Sequence, residues 1–277
     1  MFYQTTHRPV RNAIIGWTVR TALMIGAGFV MLACAAQDDL VVESDRIGST
    51  SLCADSYLIA LAPDRIGALS WQAGGALSTA PQTMADYPRL WASREILAQT
   101  QMGLVTGPGD PDFGTNNAVA LSWGEDFETV AKNAAALSDQ FNIDVAPFLV
   151  ALSDLASLPR RENPPRILYL SRSGGSAGPG TFVDAVITAA GGINANATPG
   201  WHKPPIERTL GLQADLIMTS FFGSNYAGTS DRAVRHSALR RYLANHPRVD
   251  IPGKLWPCAG PGLIDATRQL NTAIMAL

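Results

Sequence analysis

Two stretches of this 277-residue chain obey the same grammar: short β-type runs alternate with helical patterns, and a block that reads as helix alone separates them. Such alternation builds parallel sheets flanked by helices, because a strand reaches its parallel neighbour only through a crossover. In the first stretch, 46–122, "RIGSTSL" (46–52), "RIGALSW" (65–71) and "MGLVTG" (102–107) read as strands, and "ADSYLIALA" (54–62) and "RLWASREILAQ" (89–99) as helices. The turn-rich "GPGDPDFGTNN" follows. In the second, 161–277, the strands are "RILYLS" (166–171), "ADLIMTS" (214–220) and "GKLWPC" (253–258). Its helices are "TFVDAVITAAGG" (181–192), "IERTLGL" (206–212), "SALRRYLANH" (237–246) and "LIDATRQLNTAIMAL" (263–277).

The separating block, 123–160, opens on "SWGE", a capping-box signature at Ser122, and carries Phe127, Val130, Ala134, Leu137 and Phe141 on one helical face. Asp144 is placed to cap a second helix with Pro147 in its first turn. One spacing links the flanking stretches: Glu95 stands nine residues before Leu104, and Glu207 nine before Leu216, each opening a helix that leads into a strand. The expected fold is α/β with two lobes, each a mainly parallel sheet flanked by helices, joined by a long connecting helix. Ligands of such sheets bind beyond the carboxyl ends of the strands.

Residues 1–33 stand apart. Arg8, Arg11 and Arg20 precede the apolar "TALMIGAGFVMLA", and small residues follow, which describes a secretory signal peptide. "MLAC" also resembles a lipobox ending at Cys34, so lipid anchoring and ordinary cleavage both stand, with a retained anchor helix as a third option. Removing this segment takes away three arginines and no acid, moving the formal net charge from −2 to −5 and disfavouring a nucleic-acid partner. Beyond Cys34, only Cys53 and Cys258 remain; in an exported chain such a pair is more often a disulfide than a metal site, two free thiols being the alternative.

"RSGGSAGPGTFVDA" (172–185) satisfies G-x-S-x-G through Gly174, Ser176 and Gly178. That pattern marks the nucleophile elbow of serine hydrolases, and Asp215 or Asp231 followed by His236 or His246 would formally complete a triad. An elbow needs its helix to begin at once, however, and Pro179 and Gly180 intervene; both histidines fall in surface-helix contexts. The loop reads better as backbone N–H groups offered to a ligand at the start of the following helix, or as a turn that needs glycine for its angles. Of the histidines left after export, His202 alone lies near an expected cleft loop, so no metal set is assigned.

Taken in order, "RIGSTSLCADSYLIALAPDRIGALSW", "REILAQTQMGLVTG", "GPGTFVDAVITAAGGINA", "IERTLGLQADLIMTS", "HSALRRYL" and "GKLWPCAGPGLIDATRQL" resemble the periplasmic substrate-binding proteins of ABC importers for cobalamin, haem and ferric siderophores, whose two lobes are joined by a helix. The last of these is closest to a branch of that family with a cysteine in both the first and last cleft loops. The resemblance implies that Glu95 and Glu207 dock arginines of an inner-membrane permease, one acid on each lobe. It also implies that Trp201 lies against the ligand. Trp71, Tyr87, Phe221, Phe222 and Tyr226 follow or flank strand ends and would complete an aromatic cleft, to which Ser176 adds its loop. "LAQTQMGLV" departs from the family's usual Pro-Asp, with Gln101 and Met102 in its place.

The expectation is therefore a monomeric solute-binding protein in the envelope of a Gram-negative-type cell. It needs no cofactor and performs no catalysis. It takes a cobalamin-like corrinoid first, a ferric siderophore or haem next, and passes it to an ABC permease. An exported esterase using Ser176 is the second reading, and a structural or sensory binding module the third.

Overall fold

The computed structural model describes residues 45–91, 93–97, 99–220 and 235–277. The leader, Cys34, Phe221, Phe222, Tyr226 and Asp231 lie outside the described residues. Five strands form the first sheet: β1 (Ile47–Ser49), β2 (Ile66–Ser70), β3 (Arg89–Leu90), β4 (Gly103–Thr106) and β5 (Ala118–Ala120), in the order β3-β2-β1-β4-β5 with every pair parallel. In the second sheet, β6 (Arg166–Ser171), β8 (Ile193–Asn194), β10 (Leu216–Ser220) and β11 (Arg248–Ile251) run in the order β11-β10-β6-β8, again all parallel. A separate antiparallel pair joins β7 (Ser176–Ala177) to β9 (Trp201–His202). Central strands such as β6 and β10 are buried on both faces, which is why they read as continuous apolar runs.

The helices follow local chemistry. Helix α1 (Leu52–Leu61) is capped by Ser51, whose hydroxyl accepts the Ala54 N–H, so the first strand ends at Ser49 and not at the expected Leu52. Helix α3 (Phe127–Phe141) begins at Asp126, which accepts from Thr129 N–H at 2.8 Å; Ser122, the expected cap, instead gives its own N–H to Asn133. The apolar face holds, with Val130, Ala134, Leu137 and Phe141 buried. Asp144 Oδ1 accepts from the Ala146 N–H at the start of α4 (Ala146–Ser153). These two helices connect the sheets. The second sheet carries α5 (Phe182–Ala189), α6 (Ile206–Gly211), α7 (Ser237–Ala244) and the terminal α8 (Gly262–Met275).

Two expected elements differ. "RLWASREILAQ" is not one helix: Arg89 and Leu90 pair with β2 as β3, and only Arg94–Leu97 (α2) is helical, its start fixed by Ser93. "GKLWPC" is not the last strand. Pro252 and Pro257 bring no N–H to a ladder, and the segment forms two 3-10 turns at Gly253–Leu255 and Pro257–Ala259. The preceding "RVDI" pairs with β10 as β11, an edge strand whose outward Arg248 and Asp250 hid it in the sequence.

The lobes share one continuous buried cluster, which includes Ile47, Leu58, Val105 and Leu137 as well as Ile167, Met218, Leu263 and Leu270. A second tie is covalent. Cys53, at the start of α1, is bonded to Cys258, after β11, with Cα atoms 5.4 Å apart. Cys258 and Ala259 both take left-handed backbone angles (φ 60° and 48°), which reverses the chain over α1. Among the described residues no helix is long and apolar enough to cross a membrane. Replacing both cysteines by serine should lower the urea midpoint of unfolding, at a cost of roughly 2–5 kcal/mol; a midpoint equal to that of the oxidised wild type would show that the bond contributes nothing in solution.

Candidate ligand-binding site

In both sheets the chain order reverses beside one strand, β1 in the first and β6 in the second, and loops part at the carboxyl ends there. In the first sheet buried polar side chains hold those ends. Asp55, fully buried in the first turn of α1, accepts from Ser49 Oγ (2.6 Å) and Ser70 N–H (2.8 Å) on Oδ1, and from Ser70 Oγ (2.6 Å) on Oδ2. Burial pushes its carboxyl above the ordinary range, while those donors and Arg89 pull the other way. Asp110 Oδ2 accepts from Thr50 Oγ1 (2.6 Å) and Gly107 N–H (2.8 Å), joining the loops after β1 and β4. Asn133 exchanges hydrogen bonds with both backbone groups of Ser122, and donates to the Tyr57 hydroxyl, which burial pushes up to about 12.

These fixed ends present tryptophans. Trp71 follows β2 and Trp91 follows β3; each is more than half exposed, and their rings stack with centroids 5.3 Å apart and planes 6° from parallel. Trp123, 64% exposed, follows β5. Tyr87 is half-buried and packs on the main core. Beside the second sheet, on β9, Trp201, 54% exposed, rests edge-on against Tyr169 (6.1 Å) and tilted against Phe182 (5.0 Å). Trp256, buried, backs both of those rings. Burial drives the Tyr169 phenol well above its ordinary range.

Ser176 is 1% exposed, donates to the Tyr169 carbonyl (2.9 Å) and accepts from Asn196 Nδ2 (3.1 Å). It neither lines a cleft nor leans on an imidazole. Asp215 accepts from the Arg166 N–H, His236 is exposed ahead of α7, and the His246 ring is half-buried against Tyr242, to whose carbonyl Nδ1 bonds at 2.7 Å. Three N–H groups of the glycine loop are engaged as well: Gly174 and Gly175 bond to Ser171, and Gly178 to the Gly200 carbonyl. A side chain at Gly178 would overlap the Thr198 carbonyl, so this glycine is required for close backbone approach.

Glu95 and Glu207 are exposed in the first turns of α2 and α6. Among the described residues no three His, Cys, Asp or Glu side chains are grouped to hold a metal ion. Sequence reasoning passed over Trp91 and Trp123, although each stands just beyond a strand as Trp71 does, and over the roles of Asp55, Asp110 and Asn133.

No family model and no curated protein matches the chain. Solved structures do. The periplasmic vitamin B12 binding protein of Vibrio cholerae superposes with a TM-score of 0.56 at 18% identity, covering 84% of this chain and 97% of its own. The periplasmic heme binding protein of the same organism gives 0.62 at 17%, covering 82% and 97%. The S. aureus protein IsdE, complexed with heme, gives 0.61 at 14%, covering 83% and 98%. The likeness is one of fold: this chain has the two-lobe α/β architecture of periplasmic binding proteins.

Two outcomes follow from the buried groups. Ser176→Ala should cost about 1–2 kcal/mol of stability through the lost hydrogen bonds and change no rate in an ester-hydrolysis panel; a rate lost with the hydroxyl would restore the nucleophile. Because the native Asp55 carboxyl titrates above the ordinary 3.8, its contribution to stability is greatest below that value and falls as pH rises through the native value. Asp55→Asn should therefore show a smaller decline in melting temperature between about pH 4 and 7, and an equal decline in both proteins would contradict the shift.

Proposed function

We propose that this chain is an exported, monomeric solute-binding protein of the periplasm that captures a bulky metallated ligand between its lobes and delivers it to an ABC permease in the inner membrane. A cobalamin-like corrinoid is the first choice, with haem or a ferric siderophore next. The observation that carries the reading is the set of exposed indoles at strand carboxyl ends: Trp71, Trp91 and Trp123 on the first sheet and Trp201 beside the second. Exposed tryptophans on rigid strand ends suit a wide, flat molecule, since each ring offers ~150–250 Å² of surface with few rotors to freeze.

The polar side chains at the strand ends of the first sheet, Asp55, Asp110 and Asn133, are engaged with protein partners. That suits a metal which arrives with its own donor set, as in a corrinoid or a ferric chelate. The disulfide supports a shared cleft, because it ties the start of α1, at the carboxyl end of β1, to the turn after β11. Glu95 and Glu207, exposed at helix starts, are the proposed contacts for arginines of the permease, where paired charges would raise the encounter rate and set orientation.

Titrating the mature domain with cyanocobalamin, hemin and ferric chelates, followed by tryptophan quenching and visible absorption, tests the reading. At least one probe should bind, and Trp201→Ala should weaken it by about 2 kcal/mol, the loss of a central aromatic contact. Silence towards all three would remove the ligand class. Replacing Glu95 and Glu207 by alanine together should leave that affinity intact and abolish stimulation of the permease's ATPase; undiminished stimulation would remove the docking role.

A further inference from the structure

Three polar side chains converge behind Trp201. Ser176 and Asn196 are buried, at 1% and 3% exposure, and His202 is half-buried. The orientation of the Asn196 amide is fixed, because Oδ1 accepts the Thr198 N–H at 3.2 Å. Its nitrogen therefore faces Ser176 Oγ at 3.1 Å and His202 Nε2 at 3.0 Å. An amide nitrogen only donates, so Nε2 must be bare, and the ring proton sits on Nδ1, where the Gly200 carbonyl accepts it at 3.2 Å. The trio is satisfied only when His202 is neutral. It also bridges the β7–β9 ladder, in which Ser176 stands opposite His202 and Ala177 opposite Trp201.

We propose that Asn196 is a positioning residue for the aromatic wall: by bonding Ser176 on β7 and the neutral imidazole on β9 it fixes the ladder and the pose of Trp201, and a proton on His202 Nε2 releases that hold. The value of this for binding rests on the reading above, in which Trp201 meets the ligand. A proton on Nε2 sets two donors facing one another at hydrogen-bond distance, and one side chain has to swing away. Among the described residues, the charged side chains on the elements around the imidazole are Asp184 of α5, Arg172 in the β6–β7 loop and Lys203 next in the chain. Asp184 accepts from Asn194 at 2.8 Å.

The test is fluorine NMR on protein labelled with 5-fluorotryptophan, the Trp201 resonance being assigned with Trp201→Phe. In the wild type this resonance should be single and sharp at pH 7.5 and shift on acidification. In His202→Gln, whose amide oxygen accepts from Asn196 and takes no proton, it should not move with pH. In Asn196→Ala it should be displaced and broadened already at pH 7.5, with quenching by cyanocobalamin or hemin weakened about tenfold, as for one or two lost hydrogen bonds. Should Asn196→Ala fail to fold, Ser176→Ala removes one of the two acceptors and should displace the resonance in the same direction by less. A Trp201 resonance unchanged in these variants, or an undiminished pH shift in His202→Gln, overturns the positioning role. If the resonance behaves as described while Trp201→Ala binds both probes like the wild type, the ligand contact of Trp201 fails and the positioning role stands.

Discussion

The carboxyl ends of the two sheets are held to one another by residues 256–260. Trp256 is buried beneath Tyr169 and Phe182 of the second sheet's aromatic wall. Two residues on, Cys258 is bonded to Cys53 of α1. The Ala259 carbonyl closes over Gly124, where any side chain would overlap it, and Gly260 lies against Ser56 and Tyr57. This short reversal, made possible by consecutive left-handed residues, touches α1, the loop after β5 and the aromatic wall at once. With the connecting helices and a core that runs unbroken through both sheets, it leaves little freedom for one lobe to swing against the other. The strand-end surfaces are thereby held in place by packing and by the disulfide.

The polar staples serve the same end at a smaller scale. A buried carboxylate is costly, and on Asp55 desolvation outweighs the three donors, which holds its carboxyl above the ordinary range. What the arrangement contributes is geometry: the ends of β1 and β2 are locked to the first turn of α1, and the residue after Ser70 is Trp71, whose N–H is bonded to the Leu90 carbonyl. Asp110 and Asn133 fix the neighbouring loops in the same manner. Ordering these loops before a ligand arrives removes an entropic cost from binding.

Much of this fold was legible in the sequence because period and burial coincide. The α3 face from Val130 to Phe141, the buried run of β6, and the repeated strand and helix order all follow from apolar spacing, which survives without knowledge of the partner surface. The two missed strands share one cause. β3 and β11 are short edge strands whose side chains face water as much as core, so "RL" and "RVDI" carry no period. The interruption by Pro179 and Gly180 was enough to set the nucleophile aside, but nothing in G-x-S-x-G told a ligand-facing loop from the tight backbone path demanded by the Thr198 carbonyl, with Ser176 buried. The staples went unseen because Asp55, Asp110 and Asn133 find partners far along the chain or in loops, where spacing is silent. Trp91 was lost with its misread helix.

The exposed indoles are a stability forgone. Burying a large apolar side chain is worth roughly 1.5–3 kcal/mol, yet of the five tryptophans among the described residues only Trp256 is buried. Stacking offsets part of this for Trp71 and Trp91: each hides one face against the other in a nearly parallel pair, a contact worth about 0.5–1.5 kcal/mol. The outer faces stay wet. Buried carboxylates and amides fix these indoles while their outer faces stay uncovered, and it is on that exposure that the proposed ligand contact rests. Trp201 follows the same logic on the other side, its ring propped edgewise by Tyr169 and Phe182 so that packing sets its angle. Rigidity of the walls and exposure of their faces are thus two aspects of one arrangement, since an exposed indole on a slack loop would fold back onto the protein and cover itself.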